Sequence, residues 1–196
     1  MEEQNSNRPL YTSALHLTLK SWPVIAAATI GLCYLTQTVA KWFGIELPDQ
    51  ANIELVKRYA GWNWNFALLC LQIIVLLPAL EELIFRYCLF RLPIKVGCAL
   101  RAHRNQNKAE TAPSGDCGEA GVLALPLTAA GSSILFSAAH YLAQPWPDAA
   151  FIALFFFGLA QCWLYKKTGR LWCAILNHGL FNLTNLVLLF ILPEAA

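Results

Sequence analysis

Glu81, Glu82 and Arg86 stand inside one of the most apolar parts of the chain, the stretch Pro78-Ala79-Leu80-Glu81-Glu82-Leu83-Ile84-Phe85-Arg86. An almost unbroken apolar run from Phe66 to Leu77 precedes it, and Tyr87-Cys88-Leu89-Phe90 follows. Ionisable groups within an apolar, bilayer-length segment are costly and mark functional sites. Glu82 and Arg86 are four residues apart with the acid first, the favoured order for a helical ion pair. That pair can neutralise itself. Glu81 projects roughly 100° away around the same helix and has no local partner. Its partner must come from elsewhere in the chain.

Two further constellations offer partners. Phe136 and His140 are four apart, and so are His178 and Asn182. Each pair shares a helix face. A lone buried histidine in a membrane bundle is more often a cross-helix hydrogen bond, at about 0.6 kcal/mol. Four polar groups of catalytic type on three apolar stretches, Glu81, His140, His178 and Asn182, favour convergence on one site instead. A carboxylate there can take a proton from water and return it to a leaving amine. Histidine and asparagine can position the water or stabilise an oxyanion. Glu81, His140 and His178 are also a donor set that zinc accepts, so the residues leave metal-free and metal-assisted hydrolysis both open. Ser137, three residues before His140, is a weak candidate nucleophile. Gln161 and Asn185 are polar within apolar stretches but have no assignable face.

Composition sets the class. The chain has 196 residues, 57% of them hydrophobic and 13% charged, against a usual charged share of about 25%. That deficit points to an integral membrane protein, and a formal charge of +2 argues against nucleic-acid binding. The seven cysteines form no CxxC pair, and five of them lie in apolar stretches. Neither a disulfide framework nor a zinc cluster is expected from them.

The elements that must position these groups are apolar helices. The fold class expected is all-α: a polytopic transmembrane bundle of about five spans, with kinked or interfacial extra helices. Residues 1–61 comprise a first helix, about Ser21 to Phe43, retained rather than removed as a signal, and a polar connection. Residues 62–196 form the core. Its first helix, residues 62–92, is about 46 Å long at 1.5 Å per residue. That exceeds a hydrocarbon core of roughly 30 Å, and Pro78 is the natural site for a kink. Residues 93–122 read as a flexible polar loop. Apolar stretches at about 122–142, 148–165 and 171–192 complete the set as antiparallel neighbours.

Basic residues orient the bundle. Arg91, Lys95, Arg101, Arg104 and Lys108 accompany the long loop. Lys166, Lys167 and Arg170 fill another link, and Arg8 and Lys20 precede the first helix. Five crossings put all three groups on one side, against Lys41, Lys57 and Arg58 on the other. The N-terminus and long loop are expected in the cytoplasm, and a bacterial inner membrane is the expected setting.

Glu81-Glu82-x-x-x-Arg86, Phe136-x-x-x-His140 and His178-x-x-x-Asn182, in that order within apolar helices, resemble the three motifs of the CAAX protease and bacteriocin-processing (CPBP, or Abi) family. Lys167-Thr168-Gly169-Arg170-Leu171-Trp172 is similar to the run that precedes the family's last motif. The resemblance covers about residues 70–190. These are glutamic-type intramembrane endopeptidases, formerly called metallo-type, and include the type II CAAX prenyl endopeptidase. The resemblance implies that Glu81 activates the attacking water, that His140 helps hold it, and that His178 and Asn182 form the oxyanion side. Glu82, Arg86 and Phe136 would support the geometry. It also implies a conical cavity open to cytosol and lipid. Tyr87 departs from the glycine often found after the motif arginine, narrowing the space beside the site.

The function expected is hydrolysis of a peptide bond in a membrane-associated protein or peptide. The partners would be that substrate and membrane lipids. No cofactor is needed on the glutamic mechanism, and zinc is the metal alternative. Two other classes compete. A catalytically silent binding or immunity protein could keep this fold. A proton-coupled transporter is disfavoured by the lack of an inverted repeat.

Overall fold

A computed structural model describes residues 8–47, 56–61, 63–106, 118–142 and 150–191. These residues are almost entirely helical and contain no strand. Five long helices build the bundle: α1 (Arg8–Trp42), α2 (residues 64–106), α3 (Gly118–Leu142), α4 (Ala150–Thr168) and α5 (Leu171–Ile191). Segments Tyr11–Trp42, Trp64–Arg101 and Leu171–Ile191 are each long and apolar enough to cross a membrane. An all-helical architecture follows from the medium, since a helix satisfies its backbone polar groups within itself.

Contacts fix the directions. Phe66 meets Phe190, and Glu82 meets His178, so α2 and α5 are antiparallel. Phe85 and Phe136 pack edge to face, and Ser132 hydrogen-bonds the Phe85 carbonyl, which places α3 against α2. Gly158 of α4 lies against Ser133 of α3. α1 runs parallel to α5: Ala14 packs with Cys173, and the Trp22 indole donates to Thr184 at 3.2 Å. The central core comprises Ala26, Phe85, Phe136, Phe157 and Phe181. α1 therefore contributes to the same core as the motif-bearing helices.

Several boundaries differ from those read in the sequence. α1 begins at Arg8 rather than near Ser21, because Ala14 and Leu17 bury against Leu164, Cys173 and Trp172. α2 does not end at Leu92; it continues helical to Gln106, and α3 starts at Gly118. Most of the expected loop 93–122 is thus helix, with residues 107–117 outside the described residues. The layer formed by Phe90, Cys162 and Tyr165 with Ile94, Leu125 and Leu171 closes the bundle at this end. Beyond it α2 and α3 run on past the end of α4 as the two arms of a hairpin. Within the polar connection, a helical turn occupies residues 56–59, and residues 48–55 lie outside the described residues.

One cysteine expectation is also corrected. Cys98, on the projecting part of α2, is disulfide-bonded. The five cysteines within the apolar stretches remain thiols. Those five are dispersed over α1, α2, α4 and α5.

Candidate active site

The site grows from an irregularity in α2. Residues Gln72–Leu76 and Leu83–Arg91 are π-helical and flank the α-helical segment Leu77–Glu82. Pro78 cannot donate a backbone hydrogen bond to Ile74 and crowds that carbonyl. The helix accommodates it by widening: the N–H of Leu77 reaches back five residues to the Gln72 carbonyl. π-turns inside α-helices recur at functional sites. Here they bracket the two glutamates.

Glu81 and Glu82 diverge as their spacing requires. Glu82 is fully buried, and its Oε2 lies 3.0 Å from Arg86 Nε, also fully buried. The Arg86 guanidinium sits over the Phe136 ring at 4.7 Å, a cation–π contact. The other oxygen of Glu82 lies 2.9 Å from His178 Nδ1. An ionised carboxylate accepts, so Nδ1 carries the proton and Nε2 faces away towards Glu81. Glu81 Oε2 is 3.5 Å from that Nε2, and its Oε1 is 3.8 Å from His140 Nε2. His140 donates from Nδ1 to the Phe136 carbonyl at 3.0 Å, which likewise turns its Nε2 to Glu81. Glu81 is 22% exposed and His140 28%, whereas His178 is 3% exposed. The site thus has a buried wall and an open wall. A water touching both Glu81 and His140 would enter from the open side. Phe136 and Phe157 pack around the His178 ring and keep its far face dry.

The structure brings together Glu81, Glu82, Arg86, Phe136, His140 and His178. Asn182 stands one turn beyond His178, and its Nδ2 donates to the Ile73 carbonyl at 2.8 Å. One of its two N–H groups is thereby committed to the backbone of α2. Ser137 is not poised as a nucleophile, because its hydroxyl donates to the Phe151 carbonyl. Gln161 and Asn185 point elsewhere: Gln161 donates to Asn177 at 2.9 Å, and Asn185 to the Phe181 carbonyl at 3.2 Å. Sequence reasoning missed Asn177. It is buried beside His178 and its amide contacts the Thr18 carbonyl and Ser21 of α1 at 3.4 Å each. The one available signal was its place next to a motif histidine.

α3 starts at Gly118, well outside the bundle, so that His140, late in α3, reaches the level of His178, early in α5.

Residues 63–184, which carry Glu81, Glu82, Arg86, Phe136, His140, His178 and Asn182, match the family described as Type II CAAX prenyl endopeptidase Rce1-like. The chain belongs to this family. No curated protein and no solved structure matches it. Membership in the Rce1-like family identifies the helical bundle as an intramembrane CAAX-type endopeptidase fold, and the protein as integral to the membrane.

In this Rce1-like site, Glu81, His140 and His178 suit zinc by donor type, and both histidines have an acceptor behind Nδ1, as zinc ligands usually do. The positions fit less well. Among the described residues no group of three or more His, Cys, Asp or Glu is arranged to hold a metal ion. The site derives its order from the protein's own contacts, through Arg86, Glu82 and His178.

Proposed function

We propose that this chain is an intramembrane endopeptidase that hydrolyses a peptide bond near the lipid-exposed end of a membrane-associated substrate. The observation that carries this reading is Glu81, part-exposed, set between the Nε2 atoms of His140 and His178 in an otherwise apolar interior. Glu81 takes a proton from a water held against His140. The resulting hydroxide attacks the scissile carbonyl. On the oxyanion side the second N–H of Asn182 donates to the developing charge, joined by Nε2–H of His178 when that ring, held at Nδ1–H by Glu82, is doubly protonated. Glu81 then passes its proton to the leaving amine. Arg86 and Phe136 hold Glu82 and both histidines in register. Water is activated by Glu81 itself, so no cofactor is required, and a zinc chelator should leave the rate unchanged.

Leu77, Leu80 and Ile84 lie exposed on α2 beside Glu81. This apolar flank suits a substrate whose cleaved end carries a lipid or apolar group, such as the prenylated CAAX tail in the family's name. The cytoplasmic placement of the N-terminus and of the α2–α3 hairpin, in a bacterial inner membrane, belongs to the same proposal. Arg170 stacks on Tyr11 at 3.6 Å, so two of the basic groups share one end of the bundle.

The test compares protein N-termini in membranes from cells carrying wild type or Glu81→Gln. Gln keeps the size and removes the base. Termini that vanish in the variant identify substrate and cut site together. Unchanged termini, with both forms folded and expressed, would overturn the protease reading in favour of a binding or immunity protein.

A further inference from the structure

We infer that Gly179 is a positioning residue for Glu81, acting through the backbone carbonyls that Pro78 frees on α2; the inference rests on the endopeptidase reading. Pro78 has no N–H for the Ile74 carbonyl, and the π-turn Gln72–Leu76 turns the carbonyls of Ile73 and Ile74 towards α5. Both are received there. Asn182 Nδ2 donates to Ile73 at 2.8 Å. The Ile74 oxygen occupies the space that any Cβ on residue 179 would need. The neighbouring atom is backbone, three residues before the α-helical segment Leu77–Glu82 begins, so it cannot swing aside as a side chain would.

Gly179 directly follows His178, the ring that touches both Glu81 and Glu82. Pro78 precedes Glu81 by three residues on the same helix. A close approach of α5 to α2 is thus made next to the reacting groups. A methyl at residue 179 must push the helices apart there, and a displacement of about 1 Å at a catalytic centre can cost about 10²-fold in rate. A packing glycine remote from the site would change stability alone.

The experiment uses the purified full chain in detergent micelles with a prenylated CAAX-type peptide. Turnover by wild type and none by Glu81→Gln is the condition that the endopeptidase reading must meet by itself. Gly179→Ala should then lower kcat by tenfold or more at an unmoved KM. Pro78→Ala should lower it too, since the π-turn relaxes. The double variant should lose less than the product of the two, because the Ile74 carbonyl can then withdraw into the helix. A turnover-independent readout is the imidazole Nδ1 proton of His178 in 15N-histidine-labelled protein. It should shift in Gly179→Ala and move back in the double variant. Wild-type kcat in Gly179→Ala, strictly multiplicative losses, or an unmoved His178 signal would each overturn the inference while leaving the protease reading intact. If Gly179→Ala does not fold, Pro78→Ala alone decides: wild-type kcat and His178 signal would overturn it.

Discussion

Arg86 lies fully buried against the Phe136 ring, and the counter-charge facing it is Glu82 at 3.0 Å. A buried ion pair of this kind is weak evidence for net stability, but removing one partner strands the other charge. Arg86→Ala should therefore destabilise the protein by about 3–5 kcal/mol. Denaturation followed by tryptophan fluorescence in micelles measures it. Combining Arg86→Ala with Glu82→Gln should recover part of the loss, because no charge is then left unpaired. Glu82→Gln alone should keep more of the fold and damage turnover instead. It replaces the carboxylate that accepts from His178 Nδ1 with an amide that can present either end to the ring. A loss of about a hundredfold in kcat is expected from the misdirected imidazole. Wild-type turnover in folded Glu82→Gln would show that His178 is held by its aromatic surroundings alone.

Close packing of α3 on α4 depends on a second glycine, the residue after Phe157. A Cβ on Gly158 would stand 2.9 Å from Ser133 Cβ and 3.1 Å from its Cα. Small residues permit such approach in membrane bundles, where van der Waals contact drives association. Gly158→Ala should cost about 1–3 kcal/mol as overpacking, read as a lowered unfolding midpoint. How far such elements can be read from the chain depends on what makes them. The helices that carry Glu81, His140 and His178 are legible because ionisable residues interrupt apolar runs, and their i,i+4 partners declare the shared face. The ends of α1 and α2 are not, because residues 8–20 and 93–106 are polar enough to read as solvent-exposed chain. Tertiary packing of Ala14 and Leu17 decides the first, and no periodicity announces it. The π-turns are legible only in part. Pro78 predicts a disturbance of the helix, but that it takes the form of widening, and that α5 receives the freed carbonyls, follows only from the tertiary packing of α5 on α2. Asn182 illustrates the limit. Its spacing from His178 predicts a common face, and the structure adds that its amide holds the backbone of α2.

Taken as a whole molecule, the bundle ends at one side in the layer of Phe90, Cys162 and Tyr165 with Ile94, Leu125 and Leu171. Everything that positions the reacting groups lies on the inner side of that layer. The hairpin arms beyond it are a different material. On α2 they carry Arg101 and His103, both exposed, and Cys98, disulfide-bonded. Residues 102–119 hold few large apolar side chains, and the stabilising term scales with the apolar area removed from the surroundings. Deleting residues 102–119 should therefore leave the bundle folded, with an unfolding midpoint in micelles within a few degrees of wild type. Tryptophan fluorescence reports it directly, because Trp22 and Trp172 both pack against core clusters. Turnover of the prenylated peptide by the same deletion then separates two roles for the hairpin. Wild-type kcat and KM would make it a spacer between α2 and α3. A raised KM at unchanged kcat would assign it to gathering substrate at the membrane surface. Loss of folding would instead make the hairpin part of the stable bundle, and the layer at Phe90 would no longer be its boundary.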